Sequence, residues 1–145
     1  MSKNLKKIGD EAFRYCAKME SCLMNDNVEE IGENAFEDCH ALKSIRLSRN
    51  LKYIGHNAFR SCTNIESCLM HDNVEEIGEN AFEDCHALKS IRLSKNLKKI
   101  GDEAFRYCAK MESCLMNDNV EEIGGYAFNG CIDLTSIRLS KKLKK

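Results

Sequence analysis

The chain has 145 residues, one domain's worth, with 22 Lys+Arg against 23 Asp+Glu. A near-zero net charge lacks the basic excess of a nucleic-acid binder, and an apolar content of 43% argues against wholesale disorder. No run approaches the roughly 18 apolar residues of a membrane span, Met1-Ser2-Lys3-Asn4 opens without a signal peptide's apolar stretch, and nine cysteines cannot all pair within one chain.

One motif is written six times. Ile-Gly stands at Ile8-Gly9, Ile31-Gly32, Ile54-Gly55, Ile77-Gly78, Ile100-Gly101 and Ile123-Gly124. Each is followed two residues on by Ala-Phe and, after two more, by Cys, with a spacing of 23 residues and no insertion. A fixed period of this size marks a solenoid, whose coils bury their cores only against their neighbours. Ser2 to Gly32 is identical to Ser94 to Gly124, and Asn27 to Ser48 to Asn73 to Ser94. This 46-residue super-repeat is what either recent duplication or engineering produces.

The elements of one coil follow in chain order from Ala41 to Cys62. Ile45 and Leu47 alternate with Arg46, the pattern of a half-buried strand. Ser48-Arg49-Asn50 is a turn, and Leu51 to Ile54 a second short extended stretch. Gly55 then supplies a turn, expected at positive φ. Ala58, Phe59 and Cys62 share one face if His56 to Cys62 forms a short helical turn. Val28, Ile31, Ala35, Phe36, Cys39, Leu42, Ile45 and Leu47 mark the eight apolar positions of a coil, and all six Phe fall in the Ala-Phe slot. The expected fold is an α/β repeat solenoid, a single domain over residues 1–145 without distinct caps, with parallel strands plus short helical turns.

The pattern L-x-x-I-x-L-x-x-x-L-x-x-I-G-x-x-A-F-x-x-C resembles the leucine-rich repeats of the BspA-like, Treponema pallidum type across essentially the whole chain. Where that family usually carries Pro after the strand, this chain has Ser48, Ser94 and Ser140, or Asn25, His71 and Asn117. The resemblance implies a right-handed leucine-rich-repeat superhelix of about six coils. It also implies a surface or secreted protein that binds macromolecules or mediates adhesion, and no enzyme. The missing signal and the unpaired thiols fit a reducing cytosol instead, so the two indications of location conflict.

Few residues invite chemistry. Cys16, Cys39, Cys62, Cys85, Cys108 and Cys131 form one row down the stack. Cys22, Cys68 and Cys114 fill the slot that Ile45, Ile91 and Ile137 fill in alternate coils, so they read as small hydrophobes. No C-x-x-C spacing occurs, and His40 and His86 lie two coils apart, so no metal site is expected. Met19, Cys22 and Met24 are a soft set that could hold Cu(I), weighed against core packing. In-register cysteines have parallel Cβ vectors, poor geometry for a disulfide. No catalytic set, phosphate loop or cofactor site is present.

Asn4, Asn27, Asn50, Asn73, Asn96 and Asn119 form a second row, suited to bonding neighbouring backbone or to a left-handed turn. Charge rows alternate in sign down the stack: Lys6, Glu29, Lys52, Glu75; Arg14, Glu37, Arg60, Glu83, Arg106; Glu20, Lys43, Glu66, Lys89, Glu112; Asp26, Arg49, Asp72, Lys95. Such rows penalise a one-coil slip and so specify register. Along the outward strand face Leu23, Leu69 and Leu115 alternate with Arg46, Arg92 and Arg138, with Lys43 and Lys89 beside them. These eight residues are the expected partner-binding surface of a non-catalytic scaffold or protein-binding module. The alternative is a self-assembling unit stacking through its ends, since Ser140 to Lys145 has the phase of Ser2 to Lys7 and no cap is evident. The partner is therefore a protein or a second copy, not nucleic acid or a membrane interior.

Overall fold

The computed structural model describes residues 2–144. Every coil contributes one three-residue and one two-residue strand. The longer strands are β2 (Ser21–Leu23), β4 (Ser44–Arg46), β6 (Ser67–Leu69), β8 (Ser90–Arg92), β10 (Ser113–Leu115) and β12 (Ser136–Arg138). The shorter are β1 (Lys7–Ile8), β3 (Glu30–Ile31), β5 (Tyr53–Ile54), β7 (Glu76–Ile77), β9 (Lys99–Ile100) and β11 (Glu122–Ile123). Each set forms its own six-stranded parallel sheet, stacked coil on coil.

Pairing is in register by one repeat throughout, with Cys22 opposite Ile45 and Ile45 opposite Cys68. Alternation therefore works as read: the middle residue of each long interior strand points inward and is buried, and its neighbours face out. The eight apolar positions of the second coil all lie in the core, with Val28, Phe36 and Leu42 fully buried. At the first coil Phe13, Cys16, Met19 and Cys22 are only partly covered.

The third side of the coil is where the sequence reading fails. No helix exists among the described residues, so the α/β class and the short helical turns are replaced by an all-β solenoid with irregular corners. Asn57 and Ser61 sit at φ 57° and 58°, and the equivalent residues of the other coils repeat this. Left-handed residues four apart break any helical path. The N–H groups of Asn57, Phe59 and Ser61 instead donate to the carbonyls of Glu79, Ala81 and Glu83 on the next coil, at 2.8 Å each. The intervening Ala58, Arg60 and Cys62 donate three residues back. Inter-coil bonding thus outcompetes the i−4 bond, although Ala, Phe and Cys still reach the same core.

Gly55 is also not at positive φ; Gly130 alone among the described glycines is. A Cβ on Gly55 would lie 2.7 Å from the carbonyl carbon of Gly32 and from the oxygen of Ile31. The residue is small so that successive coils can touch backbone to backbone.

Six phenyl rings form a continuous column, with centroids 5.2–5.4 Å apart and planes 5–15° from parallel. The asparagine row takes the backbone-bonding role, without left-handed geometry. Asn50 and Asn96 donate to the carbonyls of Asp26 and Asp72 on the preceding coil at 2.7 Å, and Asn73 to Arg49 at 2.9 Å. At the turn after each long strand, Ser48 Oγ accepts the N–H of Asn50 at 3.1 Å, and Asn117 Oδ1 that of Asn119 at 3.0 Å. A side-chain acceptor thus closes its own turn.

The charge rows are realised unevenly. Arg14, Glu37, Arg60, Glu83 and Arg106 form an unbroken ladder: Arg14 Nε lies 2.8 Å from Glu37 Oε2, and Arg60 Nε 2.9 Å from Glu83 Oε2. Glu37 and Glu83 are buried, and each is bracketed by two guanidiniums. In the row of Glu20, Lys43, Glu66, Lys89 and Glu112, by contrast, no pair closes to 4 Å among the described residues.

Candidate functional site

The long strands build an outward face of three parallel rows. Ser21, Ser44, Ser67, Ser90, Ser113 and Ser136 stand opposite one another down the sheet. Two residues along lies the second row: Leu23 pairs with Arg46, Arg46 with Leu69, Leu69 with Arg92, Arg92 with Leu115 and Leu115 with Arg138. On the other side of the serines run Lys43 and Lys89 among the glutamates, all exposed. The pairing sets Leu23, Arg46, Leu69, Arg92, Leu115 and Arg138 in one outward row, and Lys43 and Lys89 are exposed one residue before β4 and β8.

Leu23, Leu69 and Leu115 are 74%, 50% and 63% exposed, whereas the inward Cys68 and Cys114 beside the last two are buried. The leucines' only neighbours in the row are arginines. Each guanidinium reaches to the aspartate of the coil before: Arg46 to Asp26 at 3.5 Å, Arg92 to Asp72 at 3.7 Å and Arg138 to Asp118 at 3.5 Å. All six groups are about half exposed. Pairs of that kind contribute only about 0–1 kcal/mol, so Arg46 and Arg92 are free to exchange partners, while Arg138 also donates to the Met116 carbonyl at 2.9 Å. Between Arg92 and Arg138 a notch of about 400 Å³ opens over Leu115 and Met116.

A second trough, of about 370 Å³, runs over the glycine row between Lys7, Asp10, Glu30, Tyr53, His56 and Glu76. Its polar groups are committed to joining coils. Asp10 Oδ1 accepts the N–H of Glu33 at 2.9 Å and His56 Nδ1 that of Glu79 at 2.9 Å, and further along the glycine row Asp102 Oδ1 accepts that of Gly125 at 2.7 Å. The sequence reading missed this row, although acceptors recurring every 46 residues one place after the glycine were its visible signal.

The cysteines pack in or against the core, and five of them carry a hydrogen bond that was not foreseen. Cys39, Cys62, Cys85, Cys108 and Cys131 donate their S–H to the carbonyls of Phe13, Phe36, Phe59, Phe82 and Phe105, at 3.1–3.2 Å. A thiol here fills an apolar slot and satisfies an inward carbonyl. All nine are free, and seven are buried. Burial pushes the Cys68 and Cys114 thiols up to about 12, far from the reactive thiolate form. A thiol-reactive reagent at pH 8 should therefore modify Cys16 and Cys22 in the native chain and reach the other seven only after denaturation, counted by mass spectrometry. Met24 is buried beside the partly covered Met19 and Cys22, and Met111, Cys114 and Met116 are buried in the equivalent slots. No group of three or more His, Cys, Asp or Glu placed to hold a metal occurs among the described residues. His40 and His86 lie instead beside Asp38 and Asp84, at 3.4 and 3.5 Å.

Residues 1–112 and 98–145 match the family described as BspA type leucine rich repeat region, in six copies. No curated protein sequence matches. Among solved structures, a leucine-rich repeat protein of Eubacterium ventriosum covers all of this chain with a TM-score of 0.88 at 24% identity, over 38% of its own length. The Treponema pallidum leucine rich repeat protein is 27% identical, with a TM-score of 0.62, over 92% of this chain and 51% of its own. A leucine rich cell surface protein of Faecalibacterium prausnitzii is 26% identical, with a TM-score of 0.66, over 92% and 42%. The chain spans about half or less of the length of each of these proteins. A 23-residue period with Ile-Gly, Ala-Phe and Cys at fixed places, stacked as two parallel sheets around a phenylalanine column, together with that match, makes this chain a member of the BspA-type leucine-rich-repeat family.

Proposed function

We propose that this chain is a non-catalytic protein-binding module whose contact surface is the outward face of the long strands. One observation carries the reading. Three leucines stand 50–74% exposed in a single row, where a sheet surface facing only water is ordinarily polar. Arginine is enriched at interfaces, and the buried centre of an interface is more apolar than the rest of a protein surface. Cell-surface display is part of the proposal and rests on the relative named for it.

The test uses a photo-crosslinking residue at Ser67, on this face, with a control at Lys52 on another side of the coil. A partner crosslinked from Ser67 alone should be lost when Leu23, Leu69 and Leu115 are all changed to Ser, with the circular dichroism unchanged and the melting temperature within about 5 °C of the parent, since exposed substitutions stay within roughly ±0.5 kcal/mol each. Retained crosslinking in that variant would end the strand-face proposal.

A second reading, self-assembly through the ends, rests on the last coil. Ile137 is 41% exposed where Ile91 is 6%, and Leu139 is 51% where Leu47 is fully buried. Another coil would cover them, whether from a second copy or from a longer chain. A mass that climbs with concentration in light scattering would favour the second copy.

A further inference from the structure

The strand face has a shape and a charge sequence that select among partner conformations. Its serine row is a shallow floor. On one side of it stands the Leu/Arg row, and on the other the exposed row of Glu20, Lys43, Glu66, Lys89 and Glu112. These two rows are three residues apart along the chain, ~10 Å in extended backbone. That is about the diameter of an α-helix with its side chains, ~10–12 Å. Along the stack the demands alternate at each coil, ~4.8 Å apart. At Leu23, Leu69 and Leu115 the Leu/Arg side is apolar and the other side carries Glu20, Glu66 and Glu112; at Lys43 with Arg46, and at Lys89 with Arg92, both sides are cationic.

An occupant must therefore present an apolar and an acidic group by turns, about every 5 Å, on one side. A β-strand presents same-face residues every ~6.6 Å and falls out of step within two coils. A polyproline helix returns to one face only every ~9.3 Å, so it can meet the leucines or the cations but not both. On an α-helix, residues spaced alternately three and four apart lie on one stripe at a mean of ~5.3 Å. The mismatch is ~0.5 Å per coil, so from Leu23 to Leu115 it accumulates to ~2 Å, within the reach of flexible side chains. The sheet's own backbone is paired on both sides in its interior, so it offers nothing to an extended chain that a helix would forgo. Resting on the strand-face reading above, we infer that the partner segment is an amphipathic α-helix lying along the stack, with apolar and acidic residues alternating at three- and four-residue spacing.

The probe is a synthetic 21-residue peptide of three heptads, with Leu at the first and Glu at the fourth position of each and Ala, Gln and Lys elsewhere. Its binding to the full chain is followed by fluorescence anisotropy, and its helicity by circular dichroism. The expected result is saturable binding with a rise in peptide helicity. Affinity should weaken at least tenfold when the three Glu become Lys, and at least tenfold again with the Leu23→Ser, Leu69→Ser, Leu115→Ser chain. A peptide of the same composition with Leu and Glu redistributed at two-residue spacing should bind at least tenfold more weakly. Equal binding of that redistributed peptide, lost in the triple-serine chain, would overturn the helix while leaving the strand face as the contact surface. Binding of no peptide would also overturn the helix, and the crosslinking experiment above would then judge the strand face by itself.

Discussion

Phe59→Ala is expected to destabilise the chain by about 3–5 kcal/mol and to divide its unfolding into two transitions. Phe59 is fully buried, and its ring lies 5.2 Å from those of Phe36 and Phe82. The lost ring removes contacts on both sides at once, and no other side chain enters the column to replace it. The vacated space also exposes the Phe59 carbonyl environment, which the Cys85 thiol now bonds at 3.2 Å. Because each coil touches only its neighbours, a gap at the third coil weakens the coupling between the coils before and after it, so urea unfolding should broaden and its apparent slope fall. Phe128→Ala is the control. That ring is only partly buried and has one stacking neighbour among the described residues, Phe105 at 5.4 Å. Its cost should be less than half as large, with a single transition retained. Equal losses at the two positions would show that the column does not couple the coils.

Gly55→Ala should be as damaging, for a different reason. Its Cβ would meet backbone at 2.7–2.8 Å on three atoms of the preceding coil, and backbone in a sheet cannot rotate away as a side chain can. The coils must part locally, lengthening bonds such as that from the Gly55 N–H to the Ile31 carbonyl, now 2.8 Å. Overpacking of this kind costs about 1–3 kcal/mol when side chains can yield, and more when they cannot. Gly9→Ala adds the same methyl group where nothing lies within 4 Å, so it should change stability by less than about 0.5 kcal/mol. The pair separates two explanations of the glycine row by thermal melting. If the row existed for positive φ, both substitutions would hurt; if it exists for close approach, Gly55→Ala alone does.

The sequence alone determined the repeat, the inward residues and the register. Those follow from periodicity: a two-residue alternation decides which side of a strand is buried, and a 23-residue identity decides what stands above what. For the same reason the row of Leu23, Arg46, Leu69, Arg92, Leu115 and Arg138 is legible in the sequence, as is the core role of the cysteines. Only the tertiary structure decided where backbone hydrogen bonds go. Ala58, Phe59 and Cys62 have the spacing of a helical face, yet the N–H of Phe59 bonds Ala81 on the next coil. Whether a bond closes locally or between coils depends on how near the next coil lies, which no local pattern contains. Gly55, the thiol bonds to the phenylalanine carbonyls and the capping by Asp10, His56 and Asp102 were hidden for that reason too. Each is a contact across the stack at a distance set by the packed coils, and residue type fixes only which groups are able to make it.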